Sequence, residues 1–392
     1  MTDLGTRTEP ALRRAAPALL GYAAVRALGL VTLALWSAAR DKSAYTLLTA
    51  RWDALWYTRV ADLGYGYEVR LPNGDVHSNL AFFPLLPWLE RLLSAVTPLS
   101  YADAGFAVSV LASLFAAWGV FAVTDHVYGR RAGVCAVLLW AVLPVGIVQS
   151  MAYSESLFTA LAAWSLYALL TGRWLTAGLL ASLAGLTRPV GLAVVAAVWA
   201  AGIAAFLRDR GNRAASGSER VTPAGATTAT RAAGMALAPL GAAAYVLWVG
   251  HRTGGGPLGY LDVQAGWRNG FDGGYAFARF VADKFTSFPS ALAGVGLIVG
   301  VGLVVWLYAT CVRQGQPLPL LVYSGVVTAL ALCASSYFGS KPRLLMPAFP
   351  LLIPLALALA RSRTRRSAGV VVVIALASAL YGAFWLNGSG PP

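Results

Sequence analysis

The apolar positions of this chain come in long runs and not in alternation. From Ala15 to Ala39 nearly every residue is aliphatic, small or aromatic. Comparable runs follow near residues 105–124, 132–150, 156–171, 174–187, 189–207, 232–250, 288–310, 317–337, 344–360 and 368–386. About 20 such residues wound as a helix are long enough to cross a hydrocarbon core of roughly 30 Å. In lipid the backbone must satisfy its own N–H and C=O groups, which a helix does within one segment. The pattern predicts an all-α polytopic membrane protein: one membrane-embedded domain over residues 1–392 with about 11 transmembrane helices. The first run, at 25 residues, exceeds the apolar core of a cleaved signal peptide and reads as a retained span. Arg26 lies inside it, and an ionisable group at that depth needs a polar cavity or a partner.

Two stretches depart from the pattern. Residues 208–231 are rich in Ala, Gly, Ser, Thr and Arg without periodicity, which predicts a flexible cytoplasmic linker. Residues 40–104 form the longest outer loop, and it carries helical spacing of its own. Trp52, Trp56, Val60 and Leu63 recur on one face, with Arg59 and Asp62 on another. Leu85, Leu89, Leu92 and Val96 repeat the theme after Pro84 and Pro87, with Glu90 and Arg91 opposite. Two interfacial helices are expected there, apolar side down and polar side to water.

Composition sharpens the class. The chain is 58% hydrophobic and 12% charged, with mean hydropathy +0.65. Soluble domains carry about 25% charged residues, so a soluble body is excluded. The net charge of +14 does not signify nucleic acid, because the basic residues, mostly Arg, cluster at the ends of apolar runs. With the N-terminus inside, the inner segments hold 16 basic and five acidic residues, against 13 and 11 outside. Excess positive charge marks the cytoplasmic side. The expected location is the plasma membrane, with the N-terminus cytoplasmic and, for an odd number of spans, the C-terminus outside.

Several chemistries have no signature here. There is no G-x-x-x-x-G-K-[ST] loop and no H-E-x-x-H, and Cys135, Cys311 and Cys333 stand apart from one another. No Asp-x-Asp occurs, and the run Gly254 to Pro257 lacks the strand and helix of a phosphate cradle. No metal and no cofactor is expected. What remains is a set of charges on the outer side at span ends. Asp53 enters the first surface helix, Glu155 lies in the turn between the third and fourth spans, and Arg188 lies between the fifth and sixth. Lys341 and Arg343 precede the tenth. Charges near membrane depth are costly unless paired or solvated. A carboxylate that takes a proton from a hydroxyl, beside cations that hold a departing phosphate, suits transfer from a lipid phosphate. The same residues would also serve an ion or substrate site in a transporter or flippase of a lipid-linked sugar, and spacing alone leaves both readings open.

The stretch Arg51-Trp52-Asp53-Ala54-Leu55-Trp56-Tyr57, with Val60-Ala61, Gly64-Tyr65 and Ala81-Phe82-Phe83-Pro84-Leu85-Leu86-Pro87, resembles the PIG-V-like mannosyltransferases. These comprise the second mannosyltransferase of GPI-anchor assembly and its bacterial relatives. Tyr153 to Phe158 resembles the family's second motif and Thr187 to Gly191 its third, although Pro189-Val190 stands where the family has Ser-Asn. The resemblance implies a GT-C fold with its site facing outward, a polyprenyl phosphate mannose donor and inversion at the anomeric carbon. It implies Asp53 as general base toward a glycolipid or other hydroxyl acceptor. Arg188, Lys341 and Arg343 are expected to bind the donor phosphate, and Glu155 to bind acceptor or orient Arg188. Trp52, Trp56 and Tyr57 are expected to pack the surface helix and line the groove, with His77 and Tyr65 toward the acceptor. A GT-C transferase using another lipid-linked sugar is the nearest alternative. The expected partners are the lipid donor, the acceptor and the membrane, with no nucleic acid.

Overall fold

The computed structural model describes residues 10–216, 224–335, 337–388 and 390. The chain enters through helix α1 (Ala11–Ala38), which packs against the last helix of the chain and against α5 and α6 below. The connection to the next long helix then forms α2 (Ala44–Thr49), α3 (Asp53–Leu63), a hairpin of β1 (Glu68–Arg70) and β2 (Val76–Ser78), and α4 (Leu85–Val96). Next come α5 (Tyr101–Tyr128), α6 (Arg130–Ala141), α7 (Ser154–Leu170) and α8 (Trp174–Gly185), with α5 packed on both α6 and α7 and α7 on α8. Helices α9 (Leu192–Ser216), α10 (Ala224–Leu237) and α11 (Leu240–Thr253) lead to a second long connection with α12 (Gly259–Gly266) and α13 (Tyr275–Asp283). The chain closes with α14 (Ser290–Arg313), α15 (Leu318–Cys333), α16 (Lys341–Leu345), α17 (Ile353–Arg361) and α18 (Thr364–Leu386).

Six helical segments among the described residues are long and apolar enough to span a membrane, or seven if one bent pair counts as a single span. The protein is a multi-pass membrane protein. Every expected run is helical, but several are shorter than a full crossing or are broken. The run at 344–360 is the clearest case: Phe338–Leu345 and Phe349–Arg361 meet at 77°. Pro347 in the break and Pro350 at the start of the second segment explain it, since each removes a backbone donor and crowds the preceding turn. The run at 132–150 likewise stops at Ala141 and resumes as a 3-10 turn over Gly146–Ser150, with Pro144 between. The carbonyls freed there accept from the Arg26 guanidinium, at Ala141 O and Gly146 O. Arg26 has found its polar partner in a broken helix.

Two expectations for the loops need correction. The stretch 208–231 is helical on both sides, α9 continuing to Ser216 and α10 starting at Ala224; residues 217–223 lie outside the described residues. Alanine is the strongest helix former, and an ion pair of 2.8 Å between Arg231 and Asp209 ties the two helices together. Between α3 and α4 the loop adds a short antiparallel hairpin, β1 with β2, in which Val69 lies opposite His77. Finally, of the two polar residues expected on the water side of α4, Arg91 is exposed but Glu90 is not. Trp88, Leu92 and Val96 are exposed, whereas Glu90 is fully buried against α5. Gly105 makes the room: a Cβ there would lie 2.5 Å from Glu90 Oε1.

Neither carboxyl oxygen of Glu90 has a hydrogen-bond partner, and burial pushes its pKa well above the carboxylate range. A raised folded pKa means the folded state holds the proton longer than the unfolded chain. The contribution is full below the unfolded value and is lost as pH rises through the folded one. Glu90→Gln is therefore expected to melt higher than wild type at pH 7–8, with the gap closing below about pH 4.5. Melting curves in detergent across that range check it; equal curves at all pH values would show that Glu90 ionises without penalty.

Candidate active site

Asp53 is the first residue of α3, and the residue before it is unusual. Trp52 has φ 51° and ψ −125°, a region that bulky side chains rarely occupy and that is held only where the surroundings impose it. The Arg51 guanidinium lies 4.2 Å from the centroid of the Trp52 ring. One turn into α3, Tyr57 is buried and shares a hydrogen bond of 2.7 Å with Ser154 Oγ. Burial pushes the Tyr57 phenol above its ordinary pKa, so it stays a neutral donor.

Four of the charges named from the sequence meet. Arg343, within α16, donates from Nη1 to Asp53 Oδ2 at 2.8 Å, and its Nε lies 3.3 Å from Glu155 Oε1. Arg188, in extended backbone ahead of the 3-10 turn Pro189–Gly191, pairs with the same Glu155 oxygen and donates to Ser154 Oγ at 3.4 Å. Glu155 sits in the first turn of α7, where the helix dipole favours an anion. The Tyr153 ring covers the Arg343 guanidinium at 5.1 Å.

Exposure is graded along this chain of charges. The Glu155 side chain is 1% exposed, Arg343 9%, Arg188 13% and Asp53 26%. Glu155 is thus a buried clamp on two arginines, and Asp53 is the carboxylate at the open end. Lys341 goes elsewhere. It donates to Ala331 O at 2.8 Å and to Ala334 O, neutralising the C-terminal end of α15, with the Phe277 ring 5.2 Å away.

An aromatic wall stands beside α3. Trp56 stacks on Phe82 at 5.6 Å and meets Trp267 edge-on at 4.9 Å. His77 lies parallel to Trp267 at 4.0 Å, and Tyr57 packs edge-on to Phe82 at 5.2 Å. Burial holds the His77 imidazole below its ordinary pKa, against Asp75 and with help from Arg268. The Tyr65 hydroxyl is occupied, donating to Phe82 O at 2.8 Å. Trp267, whose indole N–H donates to Ser78 O at 3.0 Å, was not singled out by the sequence. It lies in the connection between α11 and α14, where its only signal is a lone tryptophan among polar residues.

Residues 32–211 match the family model described as mannosyltransferase (PIG-V). The GPI alpha-1,6-mannosyltransferase 2 of Rattus norvegicus is 32% identical over 161 residues, 37% of this chain and 30% of that protein. Its Mus musculus counterpart is 32% identical over 158 residues, 36% and 29% of the two chains. The match thus spans under a third of these relatives. Among solved structures, ArnT from Cupriavidus metallidurans bound to undecaprenyl phosphate superposes with a TM-score of 0.52 at 14% identity, covering 92% of this chain and 62% of that one. The apo state of that protein gives 0.50. The likeness shows a GT-C-type fold, and the family resemblance read from the motifs is borne out. Arg343 and Trp267 lie beyond the matched segment, so the site is completed by parts of the chain that the family model does not reach.

Proposed function

We propose that this protein is a membrane glycosyltransferase that moves mannose from a polyprenyl phosphate donor to an acceptor hydroxyl on the extracytoplasmic face. The observation that carries the reading is the graded cluster: a buried Arg188–Glu155–Arg343 chain that ends in one accessible carboxylate, Asp53. The acceptor oxygen attacks the anomeric carbon as the bond from that carbon to the phosphate oxygen breaks, which inverts the centre. Asp53 accepts the hydroxyl proton while Oδ2 is held by Arg343. The phosphate leaves with the bonding electrons. Arg188 and Arg343, each with five N–H donors only partly used by the carboxylates, stabilise its growing charge. Glu155 acts through the two arginines as a positioning residue. Trp56, Phe82, Trp267 and His77 offer apolar faces and one imidazole to a sugar ring.

Support for mannose comes from the matched family, and support for a polyprenyl phosphate comes from the lipid bound to ArnT. A donor panel tests the choice. Reconstituted protein given polyprenyl phosphate mannose, glucose, galactose and arabinose in turn is expected to consume the mannose donor fastest. Preference for another sugar would keep the chemistry and overturn the substrate.

A further inference from the structure

The cluster described above is electrically closed. Asp53 and Glu155 carry two negative charges and Arg188 and Arg343 two positive ones. A phosphodiester donor brings one more negative charge, and the departing phosphate monoester approaches two. The spare donors of Arg188 and Arg343 meet part of that growth, and a cation not already paired with a carboxylate would meet the rest. Most outer cations near the site are committed. Arg91 donates to Ala61 O, Arg252 to Tyr65 O and Lys341 to the end of α15, while Arg268 pairs with Asp75.

Arg51 is different. It is half-buried and forms no ion pair among the described residues; its contact is the face of the Trp52 ring. Stacking uses the flat face of a guanidinium and leaves the N–H edge, the part that grips phosphate, available. Arg51 and Asp53 also flank one residue held at φ 51°. With consecutive Cα atoms about 3.8 Å apart, their backbones lie within about 7.6 Å of each other. That is the scale of a sugar ring with its two reacting oxygens.

We propose that Arg51, braced on Trp52, is a further cation that receives the donor's phosphate, joining Arg188 and Arg343, which also hold the carboxylates in place. The inference rests on the lipid-phosphate reading above. The test uses the full chain in proteoliposomes and two readouts: KM for polyprenyl phosphate mannose, and inhibition by sugar-free polyprenyl phosphate. Arg51→Gln is expected to raise both KM and the inhibition constant about tenfold or more, the loss of a charge-assisted phosphate contact. Arg51→Lys restores part of the loss, and the exposed hairpin variant Arg70→Gln stays within about twofold of wild type. If Arg51→Gln fails to fold, Arg51→Lys carries the test through an inhibition constant still several-fold above wild type. Constants for the Arg51 variants within about twofold of wild type would overturn the role of Arg51 and leave the lipid-phosphate reading standing. A wild-type protein that polyprenyl phosphate does not inhibit at all would overturn both.

Discussion

Arg343→Met is expected to lower unfolding stability by about 3–5 kcal/mol and to abolish sugar transfer. Arg343 joins Asp53 to Glu155, and Glu155 is 1% exposed. Removing the guanidinium leaves Glu155 buried with Arg188 alone and leaves Asp53 without the partner that orients it. Breaking a buried pair costs more than the pair contributed, because the surviving charge stays desolvated. Arg343→Lys should recover stability in part and transfer hardly at all, since a point charge cannot hold two carboxylates in a fixed fork. Thermal unfolding in detergent and donor turnover measure the two effects. A methionine variant that melts with wild type would mean the cluster contributes nothing to the fold.

The second large effect separates chemistry from stability. Asp53→Asn is expected to cut turnover by about 10²–10⁴, the usual contribution of a positioned general base, while the protein melts close to wild type. Asn keeps an oxygen that accepts from Arg343 Nη1, and the site is 26% exposed, so little desolvated charge is stranded. Glu155→Gln should behave in the opposite sense, losing stability first and activity through Arg188. Comparing the two variants by turnover and melting temperature assigns base and clamp. An Asp53→Asn enzyme that turns over at the wild-type rate would move the base elsewhere.

Much of this architecture was legible because lipid imposes one rule, helices with apolar surfaces, and the apolar runs obey it. The breaks were harder. Pro347 and Pro350 lie in a run apolar enough to read as continuous, and only the backbone shows the 77° bend. Glu90 misled because periodicity places it opposite Leu89 and Leu92 but does not say whether protein or water lies there; Gly105 decides it. At the site, Asp53, Glu155, Arg188 and Arg343 were recognisable as charges at outer span ends, and the fold brings them together. Lys341 was grouped with Arg343 by proximity in sequence. Two residues apart on a helix point to opposite sides, so one reaches the carboxylates and the other the end of α15. Trp267 carried no periodic signal, and only the folded loop sets it against Trp56 and His77.

The most direct test of transfer from a lipid phosphate follows both halves of the donor at once. Reconstituted wild-type protein is given polyprenyl phosphate mannose labelled in the sugar, with extracted membrane lipids as acceptor. Transfer predicts equal amounts of labelled product and free polyprenyl phosphate, both absent with Asp53→Asn. Label that crosses the bilayer still attached to its polyprenyl phosphate, with none of that lipid released, would contradict the account and make the protein a transporter.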